Sequence, residues 1–198
     1  MVQSSRGNRT PALIEAAEEL FFRKGYAGTT MEQVSRRAGF SKRTVYLYFK
    51  NKDELFLTVT SRGLAVLQQK LEVVDLDTLD YEQSIQAIME VYLDFATESP
   101  AYFRFAFHDA SKEMIANVGD EVRERMAALE RACLAVPARV VRQGIAEGVV
   151  PPVDPEEAAI VFWGSVTGIL LLSLGGSQTV LPDNRIDIIR RAVWVLYH

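Results

Sequence analysis

Three helix-capping residues lie close together in the sequence, and their spacing constrains the fold more than any other feature. Thr30 opens a capping-box pattern, Ser41 can cap a second helix, and Asn51 can cap a third. Gly39 is placed to end the first of these helices. About two helical turns fit between Gly39 and Asn51. Although residues 44–49 have the branched and aromatic composition of a strand, the caps predict two short helices joined by a tight turn.

The second short helix sorts its side chains by face. Val45 and Phe49 lie four residues apart, so they point inward together. The remaining surface carries the cations and hydroxyl groups that a helix uses to contact DNA phosphates and base edges, namely Lys42, Arg43, Thr44, Tyr46 and Tyr48. Lys50 and Lys52, at the entrance of the following helix, extend this surface. The pattern therefore predicts a helix-turn-helix with a DNA-recognition helix.

An earlier helix is expected to close the core of this pair. Thr10 and Pro11 can open it, Gly25 can end it, and apolar residues recur between them at helical spacing. The three helices together predict a small N-terminal DNA-binding domain.

Longer helices are predicted beyond it. One runs from Asp53 to about Val74, and an acidic connector over residues 75–80 follows. The next helix ends near Ser99, and a short aromatic segment occupies residues 102–108.

A long helix is predicted to begin at Met114 or Val118 and to run to Glu147. Pro137 lies deep inside it and should kink the rod, because proline removes a helical hydrogen bond.

The C-terminal part contains two strongly apolar helices, at residues 158–174 and about 184–197. Their apolar residues cover more than one face, which predicts a partner surface. A membrane-spanning helix is disfavoured, because the first segment is short for a bilayer and Gly164 and Gly168 interrupt it. No strand pattern survives elsewhere, so the predicted fold class is all-α with about nine helices.

The charge distribution divides the chain in two. The 198 residues are 48% apolar, enough for a substantial core. Residues 1–50 carry nine Lys and Arg against four Asp and Glu, whereas the net charge of the whole chain is −4. Only the N-terminal part is expected to be attracted to a polyanion.

The first twenty residues lack a continuous apolar run, so we expect a cytoplasmic protein with no secretory signal or membrane anchor.

Metal and enzyme chemistry have little support. Cys133 is the lone cysteine, and with His108 and His198 as the two histidines no metal cluster or cofactor is expected. The sequence has no Gly-x-Ser-x-Gly stretch and no specific nucleophile and base pair, so we do not expect an enzyme.

A longer run makes the DNA-binding hypothesis more specific. Residues 9–56, "RTPALIEAAEELFFRKGYAGTTMEQVSRRAGFSKRTVYLYFKNKDELF", closely resemble the DNA-binding domain of the TetR/AcrR family of bacterial transcriptional regulators. The matching segments are "AAEELFFRKGY", "TTMEQVSRRAG" and "SKRTVYLYFKNKDELF", with the spacings between them. The resemblance covers about a quarter of the chain without a gap. Leu47 departs from the aromatic residue that is frequent in the family at that position.

The resemblance implies roles for individual residues. Phosphates would be contacted by Thr30, Thr44, Tyr46, Tyr48 and Lys52, and bases by Lys42 and Arg43. It also implies a homodimer formed by the last two helices, a small-molecule pocket in the larger domain, and release of DNA when ligand binds.

Candidates for the ligand pocket and dimer interface follow. An apolar lining with a few polar groups suits a small molecule, although core packing is the alternative for each aromatic residue. The pocket candidates are Tyr92, Phe95, Phe103, Phe107, His108, Met126 and Phe162. The dimer candidates are Phe162, Gly164, Gly168, Leu171, Ile189, Val193 and Leu196.

These observations predict a DNA-binding domain over residues 1–52 and a ligand-binding and dimerisation domain over residues 53–198. The expected function is a ligand-responsive regulator, most simply a repressor. It would bind a near-palindromic double-stranded operator as a homodimer and be released by a small apolar or amphipathic effector. A helical adaptor that binds protein is the alternative, and it would lack salt-sensitive binding to duplex DNA.

Overall fold

The computed structural model describes residues 9–174, with the exception of the side chains of residues 108, 109, 173 and 174. Within this range the chain forms nine α-helices and no strand, which confirms the predicted all-α fold. A 3-10 turn at Leu76–Thr78 and a π-turn at Phe105–Asp109 lie between helices. The helices are α1 (Thr10–Lys24), α2 (Met31–Ala38), α3 (Lys42–Tyr48), α4 (Lys52–Glu72), α5 (Tyr81–Glu98), α6 (Pro100–Arg104), α7 (Lys112–Ala116), α8 (Asp120–Ala146) and α9 (Pro155–Leu174).

The three predicted caps are formed as the sequence indicated. The side-chain oxygens of Thr30, Ser41 and Asn51 each accept a hydrogen bond from the backbone N–H three residues later, at 3.2, 3.1 and 2.7 Å. Gly39 ends α2 in the left-handed region, with φ of 73°. Such caps each stabilise a helix by about 1 kcal/mol, which explains why the strand-like composition of α3 does not make a strand.

The N-terminal helices share a core with α4. Val45 is completely buried and Phe49 is 5% exposed, and both pack in a cluster with Phe21, Phe56 and Leu13. Fully burying a side chain of this kind contributes roughly 1.5–3 kcal/mol. The inward face of α3 therefore anchors the helix, and its opposite face is left toward solvent.

The predicted long helix is shorter at its start than the sequence indicated. The chain forms α7, breaks over Asn117–Gly119, and then begins α8 at Asp120. Pro137 is buried inside α8, which remains α-helical across it. The kink at Pro137 stays a prediction.

A second core forms between α4, α5, α6, α8 and α9. Phe162, Val166 and Leu170 lie on the buried face of α9 and pack in this cluster with residues of α5, including Tyr92.

The hydropathy of α9 is high for a helix that packs against its own chain. Its segment Pro155–Leu172 has a mean hydropathy of 1.3 and is long enough to cross a membrane, and 28% of it is buried. A single helix of this kind is weak evidence for a membrane segment, because core helices of soluble proteins can be equally long and apolar.

Candidate nucleic-acid interface and effector site

The outer surface of α3 presents unpaired positive charge. Lys42, Arg43 and Lys50 are exposed. Within residues 9–174, none of these three cations forms an ion pair with a carboxylate. Tyr46 is 46% exposed on the same helix and Leu47 is 68% exposed. A polyanion can therefore approach these side chains without first displacing a protein carboxylate.

The cations of α2 differ from those of α3. Arg36 pairs with Glu32 at 3.2 Å, and Arg37 pairs with Glu19 of α1. The hydrogen bond and charge of Arg37 lower the pKa of Glu19. Of the two short helices, α2 thus has its arginines paired with carboxylates, whereas the cations of α3 are unpaired within the described residues.

The predicted hydroxyl contacts occupy several positions around α3. Thr44 Oγ1 lies 2.9 Å from Ser41 Oγ at the start of the helix. Tyr48 is half-buried against the N-terminal core. Thr30 is exposed, and its hydroxyl oxygen caps α2. Their contacts with phosphates stay predictions.

Lys52 has a structural role that the sequence did not indicate. Its ammonium group donates to the carbonyls of Tyr26 and Thr29 at 2.9 and 3.1 Å, and it lies 3.9 Å from the centre of the Tyr26 ring. These contacts fix the loop between α1 and α2 against the start of α4. Two of its three N–H groups are used, so at most one is free for a phosphate.

Tyr26 completes this junction. Its hydroxyl donates to Asp53 on α4. Burial, and then the hydrogen bond to Asp53, raise the pKa of Tyr26 to about 12.

Further polar contacts join α1 and the start of α4 to the segments around α6 and α7. On one side, Glu18 of α1 accepts from Arg62 Nη1 of α4 at 2.8 Å and from Tyr102 Oη of α6 at 2.6 Å. On the other side, Asn117 accepts a hydrogen bond from the Asn51 side chain at 3.0 Å and donates to Asp53 at 3.1 Å. A shift of α6 would thus move or break the contacts of α1, and a shift of the α7–α8 turn would do the same at the start of α4.

The predicted effector residues are partly brought together. Five of the seven, Tyr92, Phe95, Phe103, Phe107 and Phe162, form with Trp163 a group that we call the aromatic cluster. Its ring centroids are 6.2 Å apart for Tyr92 and Phe162, 6.2 Å for Phe95 and Phe103, 4.9 Å for Phe103 and Phe107, and 5.4 Å for Phe107 and Trp163.

Two predicted effector residues do not join the aromatic cluster in the described structure. Met126 is buried in the N-terminal core with Phe105 and Val118, because it lies on the first turns of α8, beside the N-terminal helices. Its contact with the effector stays a prediction. The His108 side chain lies outside the described part of the structure.

Trp163 was not a sequence candidate. The near-uniform hydropathy of α9 gives no periodic signal that separates its buried face from its exposed face.

The predicted dimer residues occupy different faces of α9. Phe162 is 1% exposed and faces the core of its own chain, and its contact with a second subunit stays a prediction. A methyl group added at Gly164 or Gly168 would meet no atom within 4 Å. Leu171 is partly buried against the second core. Ile189, Val193 and Leu196 lie outside the described residues.

The exposed side of α9 includes apolar residues that sequence reasoning missed. Ile160, Val161 and Leu172 are 56, 62 and 57% exposed. Together with Gly164 and Gly168 they form an apolar stripe along the helix, which we call the α9 stripe.

A metal site finds no support in the described residues. Across residues 9–174, no three His, Cys, Asp or Glu side chains are grouped so that they could hold a metal ion.

The fold and the α3 surface together define a helix-turn-helix protein, and two family models match its two parts. Residues 13–59 match the bacterial regulatory proteins of the tetR family, and residues 85–196 match the tetracyclin repressor-like C-terminal domain. The chain therefore belongs to the tetR family of bacterial regulatory proteins and is a helix-turn-helix transcriptional regulator.

Individual relatives agree with this assignment. The HTH-type transcriptional regulator SrpR of Pseudomonas putida is 30% identical over 191 residues, which cover 93% of this chain and 83% of that protein.

Two solved structures share the fold. The regulator FadR of Bacillus subtilis, in complex with stearoyl-CoA, matches with a TM-score of 0.71 and 15% identity over 94% of this chain and 96% of that one. AibR, in complex with isovaleryl coenzyme A and operator DNA, matches with a TM-score of 0.68 and 20% identity over 96% of this chain and 98% of that one.

Proposed function

We propose that this regulator is a cytoplasmic homodimeric repressor that acts without a membrane partner. It binds a near-palindromic operator through α3 and is released by a small apolar or amphipathic effector. The DNA-binding part comprises residues 1–52, and residues 53–198 bind the effector and the second subunit.

The observation that carries this proposal is the surface of α3. Val45 and Phe49 anchor the helix, while Lys42, Arg43 and Lys50 stay exposed and unpaired within the described residues. Free cations near the start of a helix can reach phosphates and base edges in the major groove. In a dimer, two copies of α3 would enter successive major grooves about one helical turn apart.

Dimer formation is supported by the α9 stripe. Ile160, Val161 and Leu172 expose apolar area that a second copy of the helix would remove from water. Gly164 and Gly168 leave room for a partner backbone to approach closely. Burial of this stripe would also account for the high hydropathy of α9 without a membrane.

The effector part is supported by the aromatic cluster and by its connection to the N-terminal helices. Tyr102 and Phe107 pack against both cores. FadR and AibR were each solved with an acyl-coenzyme A, which makes an amphipathic molecule a reasonable effector for a protein of the same fold. Binding would shift a two-state equilibrium to the extent that the effector prefers the DNA-free state.

Selection of genomic fragments by the purified protein, followed by footprinting, tests the function. We expect enrichment of a promoter fragment with two protected half-sites and binding that weakens steeply with salt. Failure to enrich any duplex, together with the absence of salt-sensitive duplex binding, would instead favour the adaptor.

Native mass at micromolar concentration tests the dimer with a matched pair of variants. Val161 and Val149 are 62 and 60% exposed, but only Val161 lies in the α9 stripe. We expect twice the chain mass for the wild type and for Val149→Glu, and the chain mass for Val161→Glu. A monomeric wild type would refute the interface.

A further inference from the structure

Three buried polar groups, two of them on residues of the aromatic cluster, have no hydrogen-bond partner among the described residues. They are the hydroxyl of Tyr92, the indole N–H of Trp163 and the hydroxyl of Thr167. The Tyr92 side chain is completely buried and Thr167 is 8% exposed. A buried group that has lost water without gaining a partner destabilises the fold, so such groups call for an explanation.

Comparable groups elsewhere in the described chain are satisfied. Thr60, which is also buried in a helix, donates to the carbonyl four residues earlier at 3.0 Å. Ser165, on α9 itself, does the same at 2.7 Å. Thr167 does not make the equivalent bond, although its helical position offers it. Tyr102, in contrast to Tyr92, donates its hydroxyl to a carboxylate. Local helix geometry therefore does not account for the unpaired state of the three groups.

The three groups lie on two neighbouring helices. Trp163 and Thr167 lie four residues apart, on the same side of α9. Phe162 of α9, the residue before Trp163, contacts the ring of Tyr92, which lies on α5. The three groups thus lie on α5 and α9, two helices that pack together in the second core.

No Lys, Arg, Asp or Glu side chain is buried among the described residues. The charges near this core are acidic, since those of Glu130 and Glu72 act on Cys133. Cys133, whose charge would act on Tyr92, donates its thiol to the Leu64 carbonyl at 3.7 Å, and burial raises its pKa to about 12. Burial likewise raises the pKa of Tyr92, so both groups are neutral at physiological pH. A carboxylate that entered here would meet acidic neighbours and no buried cation among the described residues, which is costly in an apolar core.

We propose that Tyr92, Trp163 and Thr167 are the hydrogen-bonding groups of the effector site. The part of the effector that enters the aromatic cluster is then uncharged, largely apolar, and carries an oxygen that accepts hydrogen bonds, as in a ketone, ester, thioester or ether. An acceptor is required because the indole N–H can only donate. This inference rests on the proposed effector response and specifies its chemistry.

Three isosteric probe series test the chemistry. Methyl ketones of six to twelve carbons supply a neutral acceptor, the corresponding carboxylates a charged one, and the 2-methyl-1-alkenes none. Binding to the full-length protein is followed through the two tryptophan indole N–H resonances, with Trp163→Phe used to assign them. We expect the best ketone to bind tightest and to shift the Trp163 resonance. Tighter binding of the carboxylates, equal binding of the alkenes, or no ketone that moves this resonance would overturn the proposal.

Variants of two tyrosines on α5 test the role of the hydroxyl. Tyr92→Phe should lower ketone affinity about three- to tenfold, the effect of removing one hydrogen bond, and leave alkene affinity unchanged. It should also raise Tm by roughly 2–4 °C, because an unpaired buried hydroxyl is removed. Tyr81→Phe is the control on the same helix and should leave the ketone-to-alkene affinity ratio of the wild type unchanged. If Tyr92→Phe keeps that ratio too, the proposal is wrong, whatever the change in Tm.

The titrations use the free protein, so they are independent of DNA binding. If ketones bind at Trp163 but never release the selected operator fragment, the site stands and the proposed effector response fails. If another effector releases the fragment and no ketone binds, the response stands and this inference fails.

Discussion

Replacement of Gly63 by alanine probes the packing that connects α4 to α6 and α1. A methyl group at this position would lie 2.7 Å from both Cβ and Cδ1 of Tyr102. Because Cβ is next to the backbone, Tyr102 cannot avoid the methyl by moving the tip of its ring. The whole side chain must shift, together with its hydrogen bond to Glu18 at 2.6 Å and its ring contact with Phe22 at 4.9 Å.

The expected change in stability is the balance of two destabilising effects and one stabilising effect. Overpacking costs about 1–3 kcal/mol, and loss of a hydrogen bond to a carboxylate costs about 1.5–3 kcal/mol. Replacing glycine by alanine inside a helix gains about 1 kcal/mol. We therefore expect Gly63→Ala to lower the free energy of unfolding by about 1.5–5 kcal/mol, or Tm by roughly 3–20 °C.

Thermal and denaturant unfolding measure this change, and a second variant identifies its cause. Tyr102→Ala removes the clashing side chain, so Gly63→Ala should cost much less when it is added to Tyr102→Ala than to the wild type. If Gly63→Ala alone raises Tm, as at an open helical position, the packing of Tyr102 on α4 is wrong.

Two further predictions concern the N-terminal helices. Ser41→Ala removes the cap of α3 and should lower stability by about 1 kcal/mol, measured by denaturant unfolding, while Ser41→Asp should retain most of it; an unchanged midpoint in Ser41→Ala would contradict the cap. The pKa of Tyr26 lies at about 12 in the folded protein and near 10 when exposed, so its stabilising effect is complete below pH 10 and is lost as pH rises through 12. Wild type should therefore lose stability across this window faster than Tyr26→Phe, and identical pH profiles would refute the raised pKa of Tyr26.

The short N-terminal helices could be predicted from the sequence because their signals are local. Thr30, Ser41 and Asn51 cap helices through backbone groups three residues away, so no distant contact is needed. The inward direction of Val45 and Phe49 follows from helical spacing alone.

Positions in the effector site depend on contacts between distant segments, and there the sequence was less informative. Met126 and Cys133 lie seven residues apart on one side of α8, yet they belong to different cores, because α8 extends past the N-terminal helices and α5 in turn. Residue spacing identifies the face of a helix but not what lies opposite each turn. Lys52 illustrates the same limit, since the carbonyls that hold it come from a loop more than twenty residues earlier.

The central claim is that the unpaired cations of α3 bind operator DNA, and the salt dependence of binding tests it most directly. The selected duplex is titrated with wild type, with Lys42→Ala/Arg43→Ala, and with Arg139→Ala/Arg142→Ala. The last variant removes the same charge from two exposed arginines of α8 that are paired with Asp77 and Glu156.

We expect the α3 variant to bind the duplex at least tenfold more weakly than the wild type. If Lys42 and Arg43 contact bases, each base that is no longer read costs about 1–3 kcal/mol of binding free energy. If they contact phosphates, the slope of log K against log salt becomes shallower by about 0.9 for each phosphate that is no longer neutralised. The α8 variant should bind like the wild type. Equal weakening in the two double variants would mean that only net charge matters, and would contradict recognition of DNA by α3.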